Sequence, residues 1–218
     1  MTVLACKAIL FDLDGVLVDS SRCIDRVWKE WAAARGYQAD RFIAQSKGRR
    51  TSETLRVLAP ELDIAAEVAL LDAMEERETD GLCAFAGAGA LLSLLPGSAW
   101  GIVTSGSREV ASLRLREAGL PAPEVFITGD QVRQGKPEPE CYLLGAARLG
   151  ADPADCLVVE DSPAGVAAGR SAGMQVLAVL TTHSADVLQA AHAIVPGLEQ
   201  LRLSVAGGDL IVEVQHQA

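Results

Sequence analysis

The rest of this chain is built around the stretch FDLDGVLVDS, at residues 11–20. The uncharged run Ala8–Phe11 that leads into it is bounded by turn residues, a pattern typical of a buried strand. Asp12 and Asp14 follow that strand, and Gly15 permits a turn that brings both carboxylates to one crevice. Because crowded carboxylates repel each other, the stretch predicts a site for a cation or a lysine. Taken alone, it also fits a turn whose aspartates only cap a helix.

The composition is that of a globular protein with one core and an inserted accessory domain. The chain has 218 residues, of which 50% are apolar and 22% charged, so disorder is not indicated. A net charge of −10 without a basic stripe would repel a phosphate backbone, so nucleic acid is not an expected partner. A small anionic substrate is still compatible with this net charge, since a metal ion and one or two cationic side chains can make the pocket itself positive.

The cysteines and the hydropathy pattern predict a cytoplasmic protein. The five cysteines form no CxxC pair, which favours reduced thiols over a disulfide framework. The N-terminus lacks the features of a cleaved signal, and no segment approaches about 18 uncharged apolar residues. We therefore expect neither secretion nor membrane association.

Helical patterns fill residues 18–84. The first predicted helix can be capped by Ser20 and Ser21 and ends at Gly36. A second begins near Thr51 or Ser52, and a third covers about residues 64–78. The small residues at 85–90 then predict a hinge back to a second kind of structure. The predicted division is an α/β core at residues 1–17 and 85–218, with a helical cap at 18–84.

Residues 100–179 alternate between short apolar strands and helices. The predicted strands lie at about 100–103, 125–127, 156–159 and 176–179, and a hairpin follows over 201–205 and 210–214. Such alternation indicates a parallel sheet covered on both faces. The predicted fold class is α/β, a Rossmann-like parallel sheet with a small all-helical cap inserted after its first strand.

Polar side chains follow four of these strands and carry a family resemblance. The groups are Asp12 and Asp14, the run TSGS at 104–107, Gly135-Lys136-Pro137, and Glu160-Asp161-Ser162. The segments FDLDGVLVDS, IVTSGS, QGKPEPE and VVEDSPAGV resemble the four motifs of the haloacid dehalogenase (HAD) superfamily, and the inserted helices resemble its subfamily I cap. Residues 100–179 look most like the small sugar-phosphate and polyol-phosphate phosphatases, including 2-deoxyglucose-6-phosphatase. The resemblance implies a HAD-like core.

This resemblance implies a role for each motif residue in phosphate ester hydrolysis. Asp12 would be the nucleophile that forms an aspartyl-phosphate, and Asp14 the acid and base. Lys136 would neutralise Asp12 and the transferring phosphoryl group. The Thr104 hydroxyl and the amides of Ser105 and Gly106 would hold the phosphoryl oxygens. These three residues and Arg50 are the candidate substrate contacts.

Magnesium is the cofactor that the resemblance implies. Its ligands would be the Asp12 carboxylate, the Asp14 backbone carbonyl and Asp161, with Glu160 supporting the site from behind. Each motif has a structural alternative: a helix cap at Thr104, a solvated cation at Lys136, and a capping pair at Glu160 and Asp161. The combination at successive strand ends favours catalysis.

The cap residues are less constrained by the pattern. Arg50, with Lys47 and Arg49, is a candidate contact for the sugar, and a solvated cluster of cations is the alternative. Trp28 and Trp31 fit packing better than sugar binding. No function is assigned to the histidines His183, His192 and His216.

Three other functions are weighed against a phosphatase. A β-phosphoglucomutase carries a cap histidine four residues after the threonine that Ser20 replaces, and here that residue is Ile24, which cannot relay a proton. A haloacid dehalogenase lacks the aspartate found here as Asp14. A non-catalytic phosphosugar-binding protein would have lost one of the motif residues, and none is lost. We expect a monomer that acts on a small phosphorylated sugar or polyol.

Overall fold

The computed structural model describes residues 2–215, so His216 lies outside the described residues. The strands are β1 (Thr2–Cys6), β2 (Ala8–Phe11), β3 (Val18–Asp19), β4 (Cys83–Ala84), β5 (Trp100–Val103), β6 (Val125–Ile127), β7 (Cys156–Glu160), β8 (Gln175–Val179), β9 (Ala193–Val195), β10 (Leu201–Ala206) and β11 (Asp209–Val214). The helices are α1 (Ser21–Arg35), α2 (Ala39–Ser46), α3 (Thr51–Leu58), α4 (Ile64–Glu75), α5 (Ala88–Ser93), α6 (Arg108–Glu117), α7 (Glu140–Leu149) and α8 (Pro163–Ser171).

Six parallel strands form the main sheet in the order β6-β5-β2-β7-β8-β9. Successive residues of β2 point to opposite faces, so Ile9 and Phe11 join one hydrophobic cluster while Ala8 and Leu10 join another. The first cluster includes residues of α5 and α6, and the second includes residues of α7 and α8. The α/β, Rossmann-like core is therefore confirmed.

A second, antiparallel sheet has the order β1-β11-β10. The hairpin of β10 and β11 turns at Gly207 and Gly208, as predicted. Strand β1 was not predicted, because residues 2–6 are half exposed and lack a turn signal before β2. It pairs antiparallel with β11 from Thr2↔Val214 to Cys6↔Leu210. Strand β9, only three residues long, was not predicted either.

The helices α1 to α4 lie between β3 and β4 and have a hydrophobic cluster of their own. Trp28 and Trp31 are 2% and 1% exposed, and their rings pack on each other and on Phe42. Both tryptophans thus serve packing, as expected. Helix α2 was not predicted, and α4 ends at Glu75 rather than near residue 78. We call the helices α1 to α4 the cap; that residues 18–84 form a domain separate from the core remains a proposal.

Within residues 2–215, no helix combines the length and the apolar character needed to cross a membrane.

Candidate active site

Three strand ends and the loop that carries Lys136, between β6 and α7, meet at the carboxyl edge of the main sheet. Asp12 follows β2, and its backbone N–H donates to the Val159 carbonyl of β7 at 3.0 Å. Thr104 follows β5 and Asp161 follows β7. Both side chains are buried, as are those of Asp12 and Lys136. The parallel register of β2 with β5 and β7 places these segments side by side.

Lys136 lies at the centre of this cluster and is 1% exposed. Its Nζ is 2.8 Å from Asp12 Oδ1 and 2.6 Å from Glu160 Oε1, and it donates to the Val103 carbonyl at 3.1 Å. Burial by itself lowers the pKa of Lys136, but the two carboxylates outweigh burial and raise that pKa above its ordinary value. The ammonium group therefore stays charged.

Burial raises the pKa of Asp12 to about 7, against the opposing effect of Lys136. Burial also raises the pKa of Asp161 well above its ordinary value, with the charges of Glu160 and Asp12 adding to the effect. These three carboxylates share one nearby ammonium group, that of Lys136. A divalent cation would balance the remaining negative charge.

Glu160 is fully engaged by hydrogen bonds. Its Oε1 accepts from Lys136 and from the Tyr142 hydroxyl at 2.8 Å. Its Oε2 accepts from the backbone N–H groups of Asp161 at 2.9 Å and Ser162 at 3.1 Å, and from the Ser162 hydroxyl. Lys136 and these donors lower the pKa of Glu160 although burial raises it. The arrangement fits a supporting residue better than a metal ligand.

Asp161 fits a metal ligand. Ligand atoms of Asp12, Glu160 and Asp161 lie within 4.8 Å of one another. The buried Asp161 Oδ1 has no hydrogen-bond partner among the described residues, whereas Oδ2 accepts from Thr182. An unpaired buried carboxylate oxygen is costly, and a hard cation is the partner that would satisfy it. Gly15, at φ 86°, makes room here, because a Cβ at that position would collide with the Asp161 carboxylate.

Asp14 is held by two residues that were not predicted to touch it. Ser20 stands before α1, as expected, but its hydroxyl makes no capping bond and donates instead to Asp14 Oδ1 at 2.6 Å. Arg114 Nη1 donates to Asp14 Oδ2 at 2.7 Å. The other nitrogen, Nη2, donates to Glu75 Oε2 in the cap at 2.8 Å. The expected Ser20 cap is therefore wrong, because the Ser20 backbone, at φ −110° and ψ 1°, lies outside the extended region from which a capping hydroxyl accepts a backbone N–H of the first turn.

The segment after β5 faces the same crevice. The Thr104 Oγ1 accepts from the Gly106 backbone N–H at 3.1 Å, so that amide is used within the loop in this structure. The Ser105 hydroxyl donates to the Gly48 carbonyl of the cap at 3.1 Å. Thr104, Ser105 and Gly106 all line the cavity beside Asp12.

The cavity lies between the cap and the strand ends. The cavity and the solvent space at its mouth together hold about 780 Å³ that no protein atom fills. The core contributes the motif residues and Arg114. The cap contributes Ile24, Trp28, Lys47 and Arg49. The motif residues and Arg114 thus lie on one wall, and the other wall carries apolar, basic and acidic side chains, the acidic ones from Asp25 and Glu75.

Arg50 is placed differently from its neighbours in sequence. Its guanidinium pairs with Glu53 and donates to backbone carbonyls within residues 129–133. Glu53 Oε1 also accepts from the Gly135 backbone N–H at 3.0 Å. The pair therefore joins α3 to the core loop before Lys136, and this placement does not support the expected contact between Arg50 and substrate.

Sequence reasoning missed Arg114 and Glu75. A signal existed for Arg114: it shares a helical face with Val110, Ala111 and Leu115, so an arginine falls on the buried stripe of α6. The charged run that ends α4 hid Glu75, because nothing in its spacing separates it from the exposed residues that follow.

The fold and the site together define a haloacid dehalogenase-like hydrolase. The model of that family matches residues 6–173, so the chain belongs to it and the predicted resemblance is confirmed.

Relatives extend over nearly the whole chain. The chain is 45% identical to "Hexitol phosphatase A" of Escherichia coli (strain K12), over 95% of this chain and 99% of the relative. It is 34% identical to "Glycerol-1-phosphate phosphohydrolase 2" of Saccharomyces cerevisiae, over 85% of this chain and 79% of the relative. A solved structure of a hydrolase from Pseudomonas syringae, 28% identical, superposes with a TM-score of 0.80 and covers 89% of this chain and 94% of that one.

Proposed function

We propose that this protein is a magnesium-dependent phosphatase that hydrolyses small phosphorylated polyols or sugars through an aspartyl-phosphate on Asp12. The observation that carries the proposal is the Asp12 carboxylate, paired with Lys136 at 2.8 Å and facing the cavity that Asp14 also lines. The substrate class is supported by two relatives, one named as a hexitol phosphatase and the other as a glycerol-1-phosphate phosphohydrolase.

The proposed reaction has two steps. Asp12 attacks phosphorus while the bond to the alcohol oxygen breaks and Asp14 gives its proton to that oxygen. Asp14 then takes a proton from water, which attacks the aspartyl-phosphate and releases phosphate. Lys136 offsets the charge of Asp12 and of the phosphoryl group, and Thr104, Ser105 and Gly106 hold the phosphoryl oxygens, for which the Gly106 amide leaves its bond to Thr104 Oγ1.

Magnesium is the proposed cofactor, held by the Asp12 carboxylate, the Asp14 backbone carbonyl and Asp161, with Glu160 in support. When bound, it supplies positive charge to the phosphoryl oxygens. The unpaired Asp161 Oδ1 and the excess of carboxylates over ammonium groups support this assignment.

Metal binding predicts a change in thermal stability that needs no turnover. At 100 times its dissociation constant, Mg²⁺ should stabilise the wild-type fold by about 2.7 kcal/mol, which corresponds to a Tm increase of about 5–10 °C over EDTA-treated protein. Asp161→Asn should lose this shift. Asp25→Asn, which changes a cavity carboxylate on the cap, should keep it. A shift of equal size in Asp161→Asn, measured by calorimetry, would contradict the assignment.

A mutase that shares the core is the alternative enzyme. Ile24 lines the cavity at the position where those mutases carry a histidine. Its apolar side chain cannot move a proton, so this wall of the cavity favours hydrolysis over isomerisation. A protein that only binds phosphosugars is the non-enzymatic alternative, and it would release no phosphate.

A phosphate-release assay tests the proposal directly. We expect Mg²⁺-dependent release from hexitol phosphates, glycerol 1-phosphate and 2-deoxyglucose 6-phosphate, with kcat/KM at least about tenfold higher than for phosphoglycolate, because the short acid lacks hydroxyl groups to reach the cap. Conversion of β-glucose 1-phosphate to glucose 6-phosphate without phosphate release would establish the mutase. Absence of any turnover would favour the binding protein.

We further propose a monomer in the cytoplasm that requires neither nucleic acid nor a membrane for this activity. The net charge of −10 supports the absence of nucleic acid, and the five free thiols, four of them buried, support the cytoplasmic location. Lys47 and Arg49, which line the cavity, replace Arg50 as candidate cap contacts for the substrate.

A further inference from the structure

Arg114 is a charged side chain buried beside the proposed acid. It is 4% exposed, on the apolar face of α6. Arginines this buried are uncommon unless they are paired, and Arg114 has two partners. Nη1 donates to Asp14 Oδ2 at 2.7 Å, and Nη2 donates to Glu75 Oε2 at 2.8 Å. The guanidinium therefore bridges two carboxylates that are far apart in sequence.

The contact fixes the orientation of Asp14. Arg114 binds one carboxylate oxygen and the Ser20 hydroxyl binds the other, at 2.6 Å. A carboxylate bound at both oxygens is restricted in rotation. A general acid must stand within hydrogen-bond reach of the leaving oxygen, so restricted rotation favours proton transfer if the orientation is the productive one.

Glu75 connects this arrangement to the cap. It is the last residue of α4, whereas Arg114 and Asp14 belong to the core segments. Its side chain is 12% exposed and lines the same cavity. The bond from Arg114 therefore joins the cap to the core and holds the guanidinium through the nitrogen that does not bind Asp14.

Stability alone does not account for this network. Removing two carboxylates and a guanidinium from water costs free energy, and well-packed apolar side chains of similar volume are often at least as stable. We propose that Arg114 is a positioning residue that orients Asp14 for proton transfer to the leaving oxygen, and that Glu75 holds Arg114 in place. The inference rests on the proposed role of Asp14. In that step the bond from Asp12 to phosphorus forms, the bond to the alcohol breaks, and the proton of Asp14 goes to the alcohol oxygen.

The test uses aryl phosphates with leaving groups of graded acidity, from phenyl phosphate to dinitrophenyl phosphate. A poor leaving group needs the proton and a good one does not, and none of these esters carries polyol hydroxyl groups. Arg114→Met should lower kcat/KM for phenyl phosphate by about tenfold or more and that for dinitrophenyl phosphate by less than about threefold. Because kcat/KM reports only the steps up to release of the alcohol, the later attack of water on the aspartyl-phosphate does not affect it.

Arg116→Met is the matched control. Arg116 lies on the same helix, but its side chain is 68% exposed and, among the residues that the structure describes, pairs only with the neighbouring Glu117. This variant should keep the wild-type dependence on the leaving group. If it changes the dependence as Arg114→Met does, the effect belongs to the helix and the inference fails.

Glu75→Met tests the second part of the proposal. In the wild-type background, it should make kcat/KM depend more steeply on the acidity of the leaving group. In the Arg114→Met background it should cause no further change, because Glu75 acts through Arg114. Arg114→Met alone leaves the buried Glu75 carboxylate without its partner. The double variant, Arg114→Met with Glu75→Met, removes that carboxylate, so the double variant replaces Arg114→Met in the test if the single variant does not fold. An equal effect of Glu75→Met in both backgrounds would overturn this part.

Equal losses on all the esters, or no loss on any, would overturn the role of Arg114 while leaving the proposed phosphatase in place. A wild-type protein inactive on every ester and on the polyol phosphates would instead overturn the proposed function, and the inference with it. The two failures are thus separated by the wild-type activity.

Discussion

Asp12→Asn should abolish phosphate release, with kcat lowered by about 10⁴-fold or more, as expected when a nucleophile is removed. The amide is nearly the same size as the carboxylate and still accepts a hydrogen bond from Lys136, 2.8 Å away. It does not attack phosphorus, so the aspartyl-phosphate cannot form. Steady-state phosphate release from a hexitol phosphate in Mg²⁺ measures the loss.

The fold should survive this change. Burial raises the pKa of Asp12 from its ordinary 3.8 to about 7. A carboxyl group with a raised pKa in the folded state contributes stability at low pH that is lost as the pH rises through that value, so at pH 8 the ionised Asp12 destabilises metal-free protein. Asn carries no such charge. Asp12→Asn should therefore show a Tm at pH 8 in EDTA equal to or above that of the wild type.

Asp40→Asn is the control, since Asp40 is exposed on α2, away from the cavity. It should retain full activity. Turnover by Asp12→Asn at more than about a hundredth of the wild-type rate would remove the nucleophile assignment, because the residual rate without a nucleophile lies far below that.

Lys136→Met should damage both stability and catalysis. The wild-type ammonium group is 1% exposed and contacts Asp12 and Glu160, so its loss leaves two buried carboxylates without a counter-charge. Breaking a buried ion pair in this way costs about 3–5 kcal/mol. Loss of the positive charge near the phosphoryl group should lower kcat by about 10³-fold. Chemical denaturation and phosphate release measure the two effects separately.

A second substitution separates the two roles of Lys136. In Lys136→Met with Glu160→Gln, the Gln carbonyl oxygen can accept from Ser162 and the Asp161 backbone, and its amide can donate to the Tyr142 hydroxyl. The double variant should recover at least half of the lost free energy of unfolding and none of the lost activity. Recovery of activity would show that Lys136 acts only by balancing Glu160.

The central residues of the site could be predicted because their positions follow from the order of strands and helices along the chain. Asp12, Thr104, Lys136 and Asp161 each follow a strand or precede a helix, and parallel strands end at the same edge, so their convergence follows from the alternation of strands and helices. The strand order β6-β5-β2-β7-β8-β9 could not be predicted from the sequence, since strands of similar apolar composition do not indicate which strands they pair with.

The cap contacts could not be derived in the same way. The sequence around Arg50 indicates three cations near a helix start, but whether a long side chain points into the cavity or across to the core depends on tertiary contacts. Glu53, three residues later, and the carbonyl groups of residues 129–133 engage Arg50 instead. Helix α2 was missed because it is only eight residues long and, of its residues, only Phe42 is buried, so its apolar pattern is too short to stand out.

The short β3–β4 ladder, with Val18 opposite Ala84 and Asp19 opposite Cys83, has a consequence for how such enzymes diversify. The helical insert leaves the core and returns to it at one two-stranded junction, so one insert can replace another during evolution without shifting the register of the six-stranded sheet. Recombination or drift in this segment changes which alcohol is accommodated, while the inherited phosphate chemistry is untouched. Relatives with different named substrates can therefore descend from one ancestral core.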